Sequence, residues 1–185
     1  TVSDLIERYL KRVKLDNPKR YKEVKSQLAW WDSELGYLTL SDLKKSVISE
    51  KIEKLSLRER KLKSGETKRI SPARVNRYIA AFSHACSIAY NEWEWLQYNP
   101  MQKIKRKTEP KGRVRFLDDN EREHLLNACK ESRSANLYTL VVLALSTGAR
   151  RGELENLRWK EVSIERGTIT LDKTKNNETR LIPLT

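Results

Sequence analysis

Thr147-Gly148-Ala149-Arg150-Arg151-Gly152-Glu153-Leu154 follows the longest apolar run of the chain, Leu140-Val141-Val142-Leu143-Ala144-Leu145. The run reads as a buried helix, and Gly148 as the residue whose backbone freedom ends it. Arg150 is then expected in the first turn of a second helix, anchored to a core but facing outward. A permanently charged, planar side chain with five donors, held on a rigid support, suits the recognition of phosphate. The bland alternative is a helix–turn–helix joint whose arginine pairs with Glu153 three residues on.

Working outward, the rest of the chain favours a polyanionic partner. The 185 residues carry a formal net charge of +13, with 38% apolar and 34% charged residues. That length holds one large domain or two small ones, and the charge points to nucleic acid. A basic protein of the membrane surface is the rival. Against it, the chain has neither an apolar span of about 18 residues nor a basic amphipathic tail. Cys86 and Cys129 are too few for a disulfide framework and read as buried free thiols in a reducing compartment. The sequence starts at Thr1 and its only methionine is Met101, so a longer parent polypeptide is expected.

Residues 1–100 read as four helices. The first runs from a Thr1 cap to about Lys14, and the second from Pro18 to Leu35 with Val24, Leu28, Trp31 and Leu35 inward. The third runs from Ser41-Asp42 to Leu57. The fourth opens at Ser71-Pro72, serine as cap and proline at the first helical position, and runs to about Trp93. Residues 58–69 read as a basic loop. Trp30, Trp31, Trp93 and Trp95 read as core and rim residues. After Asn99-Pro100, the stretch 103–115 carries seven basic residues (Lys103, Lys105, Arg106, Lys107, Lys111, Arg113, Arg115) against Glu109. Pro110 and Gly112 interrupt it, so residues 101–116 are expected to form a basic interdomain linker that follows a phosphate backbone. Arg74, Asn76 and Arg77, in the first turns of the fourth helix, are candidates for groove or phosphate contact. Solvated surface positions are the alternative for these three.

Residues 117–185 are expected to form the start of a mixed α+β domain. Asp118 and Glu121 form a capping box. Helices follow to about Ser132, over Ser134–Ser146 and over Ala149–Trp159. Three short strands are expected at Val162–Ile164, Thr168–Asp172 and Thr179–Leu184. Lys175 lies in the turn between the last two, with Lys173 as a competing lysine.

Thr147-Gly148-Ala149-Arg150-x-x-Glu153-Leu154-x-x-Leu157-x-Trp159 resembles the first conserved box of the tyrosine recombinases, the phage integrase family. Lys175, ahead of Pro183, is similar to that family's hairpin lysine. Val75-Asn76-Arg77, Ala89, Trp93 and Asn99-Pro100 resemble the end of its helical core-binding domain. The resemblance spans residues 71–184; residues 1–70 agree only in helical character. It implies a mainly α chain: a four-helix core-binding domain, then part of a catalytic domain with a three-stranded antiparallel sheet. The implied activity is metal-free, cofactor-free DNA strand exchange through a 3′-phosphotyrosyl intermediate. Arg150 would hold the scissile phosphate, Glu153 would support it, and Lys175 would protonate the leaving 5′ oxygen. Implied partners are double-stranded DNA and further protomers, a tetramer in the full-length parent. The implied setting is the bacterial cytoplasm and nucleoid, with no membrane.

The pattern departs from the family in one respect. A His-x-x-Arg pair and a tyrosine nucleophile should follow the hairpin. Yet His84, His124 and all seven tyrosines precede Arg150. The chain alone is therefore expected not to cleave DNA. A non-catalytic DNA-binding regulator on the same scaffold is the alternative, and a helix–turn–helix factor centred on residues 134–159 is a third reading.

Overall fold

The computed structural model describes residues 1–61, 64–112, 114–171 and 179–184, which fall into two compact units, Thr1–Gly112 and Arg113–Thr185.

The first unit is built from four helices, α1 (Val2–Asp16), α2 (Pro18–Leu35), α3 (Lys45–Leu57) and α4 (Pro72–Asn91). Thr1 caps α1 by accepting from the Asp4 N–H, while the Asp4 carboxylate reaches back to the chain's first amine. Pro18 opens α2 at its first position, where the missing N–H costs nothing. The four inward residues expected on α2, Val24, Leu28, Trp31 and Leu35, are all buried. Helix α4 lies against α1, α2 and α3, and this central position explains its nine buried residues. Trp31 is fully buried, stacks on Phe82 at 4.6 Å between centroids and donates its indole N–H to the Tyr78 carbonyl at 2.9 Å. Trp93 and Trp95 instead flank the Arg8 guanidinium at the rim, 4.4 and 4.6 Å from its carbon.

Three local expectations change here. Helix α3 begins at Lys45, not Ser41, because Thr39, Ser41 and Asp42 satisfy one another in a turn: the Thr39 and Ser41 hydroxyls are 2.8 Å apart, and the Asp42 N–H meets the Thr39 carbonyl at 3.2 Å. The basic stretch 58–69 is not a plain loop; its ends pair as antiparallel strands β1 (Glu59–Lys61) and β2 (Thr67–Arg69). Much of the expected linker is also seated on this unit. Met101 is buried, Ile104 packs on the core, and Asn99 accepts from the Met101 N–H at 2.9 Å while donating to Ser87 Oγ at 3.1 Å.

The second unit contains α5 (Asp119–Lys130), α6 (Leu137–Thr147), α7 (Arg151–Glu155), a 3-10 turn (Trp159–Glu161) and strands β3 (Val162–Ser163), β4 (Thr168–Leu171) and β5 (Arg180–Pro183). The Asp118–Glu121 capping box forms as expected. The strands make one antiparallel sheet in the order β3-β4-β5, with Ile169 opposite Ile182 and Leu171 opposite Arg180. Its core is small: Ala149, Leu154, Ile169 and Leu171 are buried, with Leu140, Leu143, Ala144 and Leu157 packed against them.

Two expectations fail in this unit. Helix α6 has no buried residue: Leu140, Leu143 and Ala144 press on the core with one face, while Leu145 on another is 46% exposed. Helix α7 stops at Glu155 rather than Trp159. The Asn156 side-chain amide donates to the Gly152 carbonyl at 2.8 Å, replacing the backbone bond that would continue the helix. Trp159 is 83% exposed.

Candidate phosphate site and nucleic-acid interface

The sequence around Arg150 folds as a tight joint. Gly148 ends α6 in the left-handed region at φ 62°, its N–H on the Ala144 carbonyl at 3.0 Å. The Thr147 hydroxyl bonds the Leu143 carbonyl and accepts the Ala149 N–H at 3.2 Å, so the chain leaves the helix in a fixed direction. Arg150 therefore lies one position outside α7, as its N-cap, rather than in its first turn. Buried Ala149 and Leu154 flank it in the chain and pin the joint to the core.

Glu153 organises the site. Its carboxylate is almost fully covered, with the side chain 8% exposed. One oxygen takes the Arg150 guanidinium at 2.8 Å; the other takes the Arg150 backbone N–H at 2.9 Å and the Arg180 guanidinium at 2.9 Å. The backbone N–H, the Arg150 guanidinium and the charges of both arginines hold the Glu153 carboxyl below the usual glutamate range, against the opposing effect of burial. Arg150 stays 54% exposed and Arg180 41% exposed, so both keep donors at the surface. An arginine tied at one edge and open at the other can accept an anion without reorganising.

The basic residues of the first unit divide. Lys103, Lys105, Arg106, Lys107 and Lys111 are exposed, as are Arg74 and Arg77. A groove of about 730 Å³ runs between α1, α2 and α4, lined by Arg12, Arg20, Arg77 and Arg106 along with Asp16 and Glu23. Asn76 has a different task from the one expected. It is buried, accepts the Lys107 N–H at 2.8 Å, and donates to the Lys107 carbonyl at 2.9 Å and to Glu109 at 2.6 Å. With both amide hydrogens engaged and the side chain buried, it holds the basic segment on α4 instead of facing outward. Arg115 pairs with Glu121. Lys175 and Arg113 lie outside the described residues.

Residues 115–185 match the model of the phage integrase family. By this match residues 115–185 are similar to the tyrosine recombinases. Over 106 residues, 57% of the chain, it is 33% identical to a shufflon-specific DNA recombinase of Escherichia coli, of which it covers 27%. A putative integrase/recombinase of Haemophilus influenzae is 27% identical over the whole chain, which covers 50% of it. The integrase of Salmonella phage P22 is 27% identical over 80% of the chain, which covers 41% of that protein. The chain thus spans half or less of these relatives.

Among solved structures, a lambda integrase dimer bound to a COC′ core site aligns with a TM-score of 0.75 and 18% identity, over 97% of this chain and 59% of that one. A Tn1549 transposon integrase in complex with a circular intermediate DNA gives 0.74 and 17%, over 100% and 61%. At such identities the likeness is one of fold, and it extends over the helical unit that the family model leaves out. The structure joins Arg150 to Glu153 as the spacing implied. It adds Arg180 to that cluster, which sequence reasoning missed. Arg180 had a signal: a charged residue at the start of an otherwise apolar strand.

Proposed function

We propose that these residues bind duplex DNA and supply the scissile-phosphate arginine of a site-specific recombinase that integrates or excises a mobile element. Arg150 carries the reading: a guanidinium fixed by Glu153 and half open to solvent, in a chain whose relatives are named integrases and recombinases. Attack on a phosphodiester concentrates charge on the non-bridging oxygens, so a fixed bidentate donor stabilises the transition state more than the ground state. Lys175 serves as general acid, and Lys103, Lys105, Arg106, Lys107, Lys111, Arg113 and Arg115, with Arg74 and Arg77, follow the phosphate backbone. Residues 1–100 act as the core-binding domain and 117–185 as part of the catalytic one. Further protomers assemble on the DNA, as a tetramer, in the bacterial cytoplasm.

No histidine or tyrosine follows Arg150 in these 185 residues, and none of the seven tyrosines before it is assigned as nucleophile. The same fact favours one second reading, a DNA-binding regulator without catalysis. The test is Arg150→Ala in the full-length protein, on a nicked duplex carrying its crossover site. Covalent protein–DNA adduct should vanish while binding stays within a few-fold. Equal loss of both would make Arg150 a binding residue only, and a wild-type protein that forms no adduct would favour the regulator.

A further inference from the structure

We propose that Arg180 is a positioning residue for Arg150, acting through the carboxylate they share; this rests on the reading of Arg150 as the phosphate ligand. An Arg150–Glu153 pair alone is electrically neutral. An approaching phosphate would meet a guanidinium whose charge is largely cancelled by a neighbour 2.8 Å away. Arg180 changes that balance, since its guanidinium sits 2.9 Å from the other Glu153 oxygen and leaves the three-residue cluster with one net positive charge. That residual charge, rather than a neutral pair, is what an approaching anion meets.

The second contribution is mechanical. A five-residue helix is too short to be a rigid mount by itself. Arg180 belongs to β5 and lies opposite Leu171, which is buried in the core of this unit. Through Arg180 the Glu153 carboxylate is tied to the sheet as well as to the start of α7, and Arg150 inherits its orientation from both. Displacements of about 1 Å at such a ligand cost on the order of 100-fold in rate.

The test uses the full-length protein and single-turnover cleavage of the nicked duplex, with DNA affinity measured in parallel. Arg180→Ala should lower cleavage by about 10- to 100-fold while affinity changes little. Adding Glu153→Gln to Arg180→Ala should recover part of that loss, because glutamine still accepts from Arg150 but no longer cancels its charge. Arg180→Lys should fall between wild type and Arg180→Ala, keeping the charge without the planar fork. A neutral methylphosphonate at the scissile position should shrink the Arg180→Ala defect, since the anionic oxygen is gone. Thermal melting of each variant separates a folding loss from a site loss.

The proposal is overturned by wild-type cleavage in Arg180→Ala, by a further fall on adding Glu153→Gln, or by an undiminished defect on the methylphosphonate. Normal cleavage in Arg150→Ala would instead remove the parent reading. A dead Arg150→Ala beside an unaffected Arg180→Ala would remove only this one.

Discussion

The two units of this chain are held by different means. Among the described residues, the first closes on twenty-four buried apolar residues, and α4 alone contributes nine side chains to its interior. The second closes on four, and its most apolar helix, α6, buries none. Order at its most specific point comes from charge: three groups, Arg150, Glu153 and Arg180, with Glu153 as the common acceptor. An apolar core tolerates any pH but not a lost side chain. A polar hub depends on the protonation of one carboxylate.

That contrast can be broken, beginning with the core. Trp31→Ala removes a fully buried ring, its stacking on Phe82 and its bond to Tyr78. It should cost about 3–5 kcal/mol, measured by urea unfolding; a loss under ~1 kcal/mol would mean the first unit does not depend on this packing. Asn76→Ala should cost less, about 1–2 kcal/mol. Amide exchange at Lys107 should rise as the basic segment is released from α4. Unchanged protection there would show that Ile104 and Met101 hold the segment alone.

The hub answers to acid. Because the folded Glu153 carboxyl lies below its ordinary value, its contribution is fully present above the ordinary glutamate range near pH 4.3. It is lost as pH falls through the depressed value. Stability of the second unit should therefore be flat from pH 8 to 6 as far as this group is concerned and decline only in acid. Glu153→Gln should flatten that acid limb, and an acid limb identical to wild type would place the sensitive group elsewhere. The smallest effect belongs to the exposed charges: Lys105→Ala should reduce the slope of log affinity against log salt by about 0.9 if that lysine meets one phosphate.

Cys86 and the helical pattern of the first unit were readable because periodicity alone sorts inward from outward residues on long helices. The thiol is buried as expected, and burial pushes its pKa up. Short elements were harder. Helix α7 ended early because one side chain, Asn156, took a backbone acceptor, which no apolar spacing records. Asn76 was misplaced for a related reason. A polar residue in the first turns of a helix looks the same in sequence whether it faces solvent or a returning segment thirty residues on.

The sequence by itself determined the net charge, the four-helix pattern, the Gly148 joint and the pairing of Arg150 with Glu153, because each depends on residues close together in the chain. Only the tertiary structure decided that the basic segment after Pro100 is fastened to α4, and that Glu153 answers to two arginines. Those contacts join residues 31 and 27 positions apart. Local physics sets which groups need a partner; the folded chain sets which partner arrives.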